Sequence, residues 1–180
     1  MRLFIAVEFP DAIKAELEKS TSLLRDACNR GIFSRRENYH ITLVFLGEIP
    51  FMRVAEITQT MDSCVCPPIP ITIGRLDRFE RDGGDVFWRA IRAPGSLAGV
   101  RQSLAKALTV KGLVPAEEKE FRPHLTLARQ AILREGAQLW ELSEKLPDLE
   151  HTAMFMTLMQ SERIGGKLTY SPIYRADFRG

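Results

Sequence analysis

The sequence contains few histidines and cysteines, with three of each among 180 residues. The cysteines, Cys28, Cys64 and Cys66, are odd in number and lack the CxxC-like spacing of a zinc site, so neither a disulfide framework nor a zinc centre is indicated. No apolar run approaches the roughly 20 residues that span a bilayer. The N-terminal apolar run is too short for a signal-peptide core. We therefore expect a cytoplasmic protein with no membrane segment.

An excess of charge of one sign is also absent, since 25 basic residues face 23 acidic ones and the net charge is +2. This balance argues against a strongly basic protein that coats nucleic acid, but it allows a locally basic cleft. Hydrophobic residues make up 45% of the chain, which is enough to build a core. We expect residues 1–180 to form one two-lobed domain that acts as a monomer.

Periodicity and turn signals predict alternating helices and strands along the whole chain. We predict helices at 11–29 (capped by Asp11), 51–63, 96–111 and 134–145, and strands at 2–9, 39–46, 69–80, 85–92, 149–160 and 167–178, with a charged loop from Glu117 to Glu120. A further strand follows Pro123. The predicted fold class is α+β, with two pseudo-symmetric lobes, each an antiparallel sheet with helices on its outer side, around a central groove.

One short pattern occurs twice, as His40-Ile41-Thr42-Leu43 and as His124-Leu125-Thr126-Leu127. Each copy lies in an apolar run typical of a strand, where side chains alternate between the two faces. The histidine and the threonine of each copy therefore share one face, and the apolar residues share the other. If the two polar faces meet across the groove, two imidazoles and two hydroxyls converge.

Two facing histidines suit a displacement at phosphorus, because one imidazole can donate a proton while the other accepts one. The hydroxyls of Thr42 and Thr126 would donate hydrogen bonds to the non-bridging phosphate oxygens. This design needs no metal and no cofactor, and neither motif places a carboxylate at ligand spacing. One such histidine alone is more often a structural residue; two copies favour a catalytic pair.

Residues near the motifs are candidate substrate contacts, each with a structural alternative. Strict alternation places Phe45 in the core and Arg129 on the face opposite His124, so that only a strand end or a twist would bring Arg129 to a phosphate. Phe45 would otherwise stack on a base at the cleft rim. Arg122 is a candidate phosphate contact or a solvated surface charge. Tyr170 and Lys167 either wall the groove or serve the structure.

Three segments together resemble the RNA 2',3'-cyclic phosphodiesterases, historically called 2'-5' RNA ligases, of the two-histidine phosphoesterase superfamily. The segments are residues 1–7 (MRLFIAV), 40–48 (HITLVFLGE) and 122–129 (RPHLTLAR). The resemblance implies a bilobed fold with both motifs in the central groove. It also implies hydrolysis of a terminal 2',3'-cyclic phosphate on RNA, or of a small cyclic nucleotide, to a 2'-phosphomonoester. His40 would be the proton donor and His124 the proton acceptor.

Two alternatives to hydrolysis remain open at this point. The same site allows the reverse reaction, which joins a 2',3'-cyclic phosphate to a 5'-hydroxyl through a 2'-5' bond. A binding module for nucleotides or RNA that retains the groove without turnover is the third reading. Both histidines and both threonines are present, which favours catalysis over binding alone.

Overall fold

A computed structural model describes residues 1–64, 66–93, 95–115 and 120–179. The strands are β1 (Arg2–Glu8), β2 (Cys28–Phe33), β3 (His40–Glu48), β4 (Ile69–Phe79), β5 (Asp85–Arg92), β6 (His124–Leu133), β7 (Leu149–Ala153), β8 (Phe155–Ile164) and β9 (Lys167–Asp177). The α-helices are α1 (Asp11–Asp26), α2 (Val54–Asp62), α3 (Ser96–Val110) and α4 (Leu139–Glu144). Most of the charged loop predicted from Glu117 to Glu120 lies outside the described residues.

The strands form two antiparallel sheets, which confirms the predicted α+β class. The first sheet has the order β3-β1-β8-β9 and the second has the order β2-β6-β5-β4-β7. Helices α2 and α3 contact strands of the first sheet, and helices α1 and α4 contact strands of the second. The first sheet combines strands from both ends of the chain, so the two lobes do not correspond to the N-terminal and C-terminal halves of the sequence. None of the helices in the described part of the chain is long and apolar enough to span a membrane.

The buried apolar side chains form one large cluster that draws on both sheets and on the helices. In β1, alternation is clear: Leu3, Ile5 and Val7 belong to this cluster. Phe4 and Ala6, which point to the opposite face, form a small separate cluster with Met159, and Tyr170 packs against it. The face of the first sheet that carries this small cluster also carries the histidine and threonine of the first motif, because Ala6 pairs with Thr42.

The region after α1 differs from the prediction. The helix predicted through residue 29 ends at Asp26, and Cys28–Phe33 is instead the edge strand β2, paired with β6. Gly31 permits this close pairing, because a Cβ atom at that position would lie 2.8 Å from the Cβ of Ala131. The predicted cap is also wrong: Asp11 is the first helical residue, and Pro10 precedes it without a side-chain capping bond.

Two further predictions differ near the C-terminus. The strand predicted at 149–160 is two strands, because the chain leaves the second sheet after β7 and enters the first sheet at β8, with Met154 between them. The helix predicted at 134–145 is the shorter α4. An apolar run read by periodicity alone does not reveal that its strand changes sheets.

Candidate active site

The two motif strands share one burial pattern over six residues. In β3, His40 and Thr42 are half-buried, the three apolar residues Ile41, Leu43 and Val44 are buried, and Phe45 is exposed. In β6 the same pattern runs from His124 to the exposed Arg129. Phe45 and Arg129 therefore occupy equivalent places in the two strands, five residues after the histidine.

A β-bulge after each threonine explains this pattern. In the first sheet Ala6 pairs with Thr42 and Ile5 pairs with Val44, so Leu43 is an extra residue without a register partner. A bulge shifts the alternation of side chains by one residue. The side chain of Phe45 consequently returns to the face of the histidine.

The same irregularity occurs in β6, where Trp88 pairs with Thr126 and Phe87 pairs with Ala128, which leaves Leu127 extra. The prediction that Phe45 lies in the core is thus wrong, since its side chain is 53% exposed. The prediction that Arg129 faces away from His124 is wrong for the same reason. Strict alternation fails at a bulge, and this sequence does not mark the bulge with a glycine.

A cavity of about 720 Å³ opens beside the first motif. His40, Arg129, Phe45 and Tyr170 are among its lining residues. His124 is not in this lining. Its connection to the cavity is electrostatic: the charge of Arg129 lowers the pKa of both motif histidines, and the charge of His124 lowers the pKa of His40. Strands β3 and β6 are also in contact, so the two motifs approach each other across the groove.

Both imidazoles are held in the same orientation by backbone carbonyls. The Nδ1 atom of His40 lies 2.7 Å from the carbonyl oxygen of Asn38, and that of His124 lies 2.8 Å from the carbonyl oxygen of Arg122. A carbonyl only accepts, so Nδ1 carries the hydrogen in each ring and Nε2 is the nitrogen left to exchange a proton. In β3 this Nε2 atom is 3.1 Å from the hydroxyl of Thr42.

Aromatic rings enclose each imidazole. The ring of His40 lies 4.9 Å from that of Phe4 and 5.1 Å from that of Tyr170, centroid to centroid. The ring of His124 lies 5.2 Å from Phe79 and 5.8 Å from Trp88. These rings remove water from the histidines and disfavour the charged imidazolium.

Burial is the largest cause of the altered proton affinity at both histidines. It lowers the pKa of His40 to about 4, and the hydrogen bond to Asn38 opposes this effect while the charges of Arg129 and His124 add to it. Burial also lowers the pKa of His124, again with the charge of Arg129 adding to the effect. Both rings are therefore neutral at pH 7 in the free protein, and a phosphate anion placed between them would raise both pKa values.

Comparison with protein families agrees with this arrangement. The family model of the 2'-5' RNA ligase superfamily matches residues 9–165, which include both motifs. This chain belongs to the 2'-5' RNA ligase superfamily.

Several relatives within this superfamily are named RNA 2',3'-cyclic phosphodiesterase. The Archaeoglobus fulgidus protein of that name is 31% identical over 132 residues, which cover 72% of each chain. The Thermotoga maritima protein of that name is 24% identical over 191 residues, covering 100% of this chain and 97% of the relative. The predicted family is confirmed.

The fold is also that of a solved structure. The crystal structure of E. coli LigT complexed with 3'-AMP aligns with a TM-score of 0.81 at 23% identity and covers 98% of this chain and 97% of LigT. At this level of identity the comparison establishes the shared fold. It confirms the two-lobed α+β architecture predicted from the sequence.

Among the other predicted site residues of this superfamily member, Arg122 has an exposed side chain and contributes its carbonyl oxygen to His124. Its guanidinium group does not line the 720 Å³ cavity, so a phosphate contact by Arg122 stays a prediction. Thr126 lies on the histidine face, where its hydroxyl is 3.5 Å from a guanidinium nitrogen of Arg129. Lys167 is exposed and lies outside the cavity wall.

Tyr170 does wall the groove, and a set of contacts that sequence reasoning missed holds it there. Arg35 and Asn38 both donate to the carbonyl oxygen of Leu168, at 2.6 and 3.0 Å. The same Asn38 binds His40 through its backbone carbonyl. One short segment before β3 thus fixes both the imidazole and the β8–β9 hairpin that covers it. The polar run from Ser34 to Asn38 gave no sequence signal for this role.

The second missed residue is Arg2. Its guanidinium group lies 5.1 Å from the ring centroid of the exposed Phe45, and both side chains line the cavity. The sequence gives no signal for this contact. Arg2 precedes the apolar run of β1, and only the bulge in β3 turns the side chain of Phe45 toward Arg2.

Proposed function

We propose that this chain hydrolyses the terminal 2',3'-cyclic phosphate of RNA to a 2'-phosphomonoester, by acid–base catalysis with His40 and His124. One observation carries the proposal: two imidazoles on contacting strands of opposite sheets are oriented alike, each with Nδ1 on a carbonyl and Nε2 left to exchange a proton. The name of the Archaeoglobus fulgidus relative supports the same substrate class.

In the proposed reaction, Nε2 of His124 accepts a proton from a water molecule as the water oxygen bonds to phosphorus. The bond between phosphorus and the 3'-oxygen breaks, and the protonated Nε2 of His40 gives its proton to that oxygen. The products are a 2'-phosphomonoester and a free 3'-hydroxyl. Each proton transfer is typically worth about 10²- to 10⁴-fold in rate. Histidine side chains carry out both proton transfers, so the scheme uses no metal.

The phosphate is held, in this scheme, by neutral and charged donors on the histidine face. Thr42 and Thr126 donate hydroxyl hydrogen bonds to the non-bridging oxygens, where negative charge increases in the transition state. Arg129 is placed to neutralise the anion, since its charge acts on both histidines. Once the anion offsets that charge, the pKa of His40 rises and the ring takes up the proton that it later donates.

The 720 Å³ cavity is the proposed site of the terminal nucleoside. Its volume lies within the range of about 300–1,000 Å³ that is usual for small-molecule sites. The exposed ring of Phe45 offers a flat apolar surface to a base, and Arg2 lies over that ring. Stacking on an aromatic side chain tolerates any base. A small cyclic nucleotide fits the same scheme.

Product analysis in the presence of EDTA tests this proposal. An RNA oligonucleotide ending in a 2',3'-cyclic phosphate is incubated with the protein, and the new end is identified. Conversion to a 2'-phosphate that persists in EDTA is the expected result. A 3'-phosphate product would reverse the assignment of the leaving oxygen, and loss of turnover in EDTA would contradict the metal-free scheme.

Ligation is the second candidate, and the matched orientation of the two histidines suits it as well, because a 5'-hydroxyl can take the place of water as the group that attacks phosphorus. His124 would then remove the proton of the attacking 5'-hydroxyl, and His40 would again protonate the leaving 3'-oxygen. Supplying an RNA with a 5'-hydroxyl in the same assay and looking for a longer product with a 2'-5' bond separates joining from hydrolysis. Binding of the cyclic-ended RNA followed by its unchanged release would instead identify a binding module.

A further inference from the structure

A second cavity, of about 430 Å³, lies where β7 leaves the second sheet and β8 enters the first. Its lining includes Glu8, Lys14, His151, Phe155 and Arg175. None of these residues has a role in the scheme above. The cavity is nevertheless close to the first motif, because Glu8 is the register partner of His40 in the β1–β3 pair.

Strand register places Arg175 on the same face of the first sheet as the motif. Thr42 pairs with Ala6, Ala6 pairs with Thr157, and Thr157 pairs with Arg175. Residues paired directly across antiparallel strands point to the same side. With about 4.8 Å between neighbouring strands, the three steps from Thr42 to Arg175 span about 14 Å. A strand of about two extended nucleotides is long enough to connect the two places.

The charges in this cavity are suited to an anion. Among the described residues, the side chains of Lys14 and Arg175 make no hydrogen bond and no ion pair. The carboxylate of Glu8, which also lines the cavity, accepts a hydrogen bond of 2.7 Å from the hydroxyl of Thr157. Burial lowers the pKa of His151, so this ring is neutral at pH 7. Two cations without an anionic partner therefore face one carboxylate that already accepts a hydrogen bond.

The same cavity has a flat surface for a base. The guanidinium group of Arg175 lies 3.8 Å from the ring centroid of Phe155. An exposed planar cation stacked on an aromatic ring is a surface on which a nucleobase stacks readily. A phosphate contact and a stacking surface side by side match one nucleotide.

We propose that the second cavity binds a nucleotide that precedes the cyclic end of an RNA strand, with its phosphate on Lys14 and Arg175 and its base against the Arg175–Phe155 stack. This inference rests on the proposed function and names its substrate: an RNA strand rather than a mononucleotide. The wild-type protein should therefore have a lower KM for a cyclic-ended adenylate trinucleotide than for 2',3'-cyclic AMP.

The test is a double variant, Lys14→Ala with Arg175→Ala, assayed on both substrates. We expect its KM for the trinucleotide to rise about tenfold, since two charged contacts are lost, and its kinetics with 2',3'-cyclic AMP to stay unchanged. Unchanged kinetics with the small substrate also show that the variant folds. The dependence of the trinucleotide KM on salt concentration should become weaker as well.

A charge-matched control is Lys19→Ala with Lys145→Ala, which removes two exposed cations outside both cavities. The proposal is overturned if this control raises the trinucleotide KM as much as the test variant does, because the effect would then be long-range attraction. It is also overturned if the test variant weakens both substrates equally or neither.

Binding separates this inference from the proposed function. Fluorescence anisotropy of a 5'-labelled adenylate trinucleotide ending in a 2'-phosphate measures affinity without turnover. If the wild type fails to hydrolyse either substrate while the test variant binds this trinucleotide about tenfold more weakly, the proposed function fails and the second cavity remains a nucleotide site. Equal affinity of wild type and test variant would overturn the cavity proposal alone.

Discussion

The first and second motifs use the same backbone arrangement with different surroundings. Each has a histidine held by the carbonyl two residues before it, a threonine two residues after it and a bulge that turns the sixth residue toward the groove. The sixth residue is the aromatic Phe45 in one strand and the cationic Arg129 in the other. The imidazole of His40 packs against Phe4 and Tyr170, and that of His124 packs against Phe79 and Trp88.

This comparison shows how neighbouring residues lower the proton affinity of two identical side chains. The backbone fixes the reactive nitrogen in both, while neighbouring residues set how costly the charged form is. Burial lowers the pKa of His40 to about 4, which makes the protonated ring a strong donor to a leaving alkoxide once a substrate anion has raised its protonated fraction. In such pairs the group with the higher pKa usually serves as the acid, so the role of His40 as the acid requires that the bound phosphate raise its pKa.

Among the changes to the two motifs, removal of either imidazole should have the largest effect on kcat. We expect His40→Ala and His124→Ala each to lower kcat by about 10²- to 10⁴-fold. The double variant should lose less than the product of the two, because the histidines act in one transition state. Steady-state assays with a cyclic-ended RNA measure this, and Lys19→Ala serves as the control. Full activity in either single variant would rule out a paired mechanism.

Replacement of the threonines should have the next largest effect and should differ between the motifs. Thr42→Val and Thr126→Val each remove a donor to the phosphate, which costs about 10²-fold in kcat when such a donor acts on developing charge. Thr42→Val should cost more, because this hydroxyl also contacts Nε2 of His40. Equal losses in the two variants would show that this contact has no catalytic role.

The charge of Arg129 links the two motifs, and the pH profile should reveal it. Both histidines have pKa values lowered from 6.5, so kcat/KM of the wild type should be greatest below pH 6.5. Arg129→Gln removes a positive charge that lowers both pKa values, so the profile should move toward higher pH. Arg163→Gln removes a charge from the same cavity wall and should leave the position of the profile unchanged. A profile that shifts equally in both variants would contradict a specific role for Arg129.

The smallest expected effect concerns the ring that covers His40. Tyr170→Ala exposes the imidazole to water and should raise the pKa of His40 by about one unit, equivalent to 1.36 kcal/mol. Tyr170→Phe retains the ring and should leave that pKa near its wild-type value. Titration of the His40 ring followed by NMR measures both. A rise of the same size in the two variants would assign the effect to the hydroxyl group instead.

The sequence was sufficient to locate both motifs and to place each histidine beside its threonine on one strand face. It also predicted the β4–β5 hairpin and helix α3 within a few residues, because their periodicity and turn residues agree. These features depend on local patterns of two to four residues. Local patterns survive tertiary packing when all of them favour the same structure.

Phe45 and Arg129 were named as candidate substrate contacts, but the orientation of residues that depends on nonlocal geometry was not predicted. Phe45 and Arg129 face the groove because of bulges set by register with β1 and β5. Arg35 and Asn38 reach the site through a carbonyl of Leu168, more than a hundred residues later in the chain. The edge strand β2 follows from pairing with β6 rather than from its own composition. Contacts of this kind require knowledge of which strands are neighbours.

If His40 and His124 act on one phosphorus atom with opposite roles, a change of leaving group should affect the two variants differently. A nitrophenyl phosphodiester needs no proton on its leaving group, whereas attack by water still needs a base. We expect His40→Ala to lose far less activity on this ester than on cyclic-ended RNA, and His124→Ala to lose about as much on both. Equal losses for the two variants on both substrates would contradict the assignment of an acid and a base.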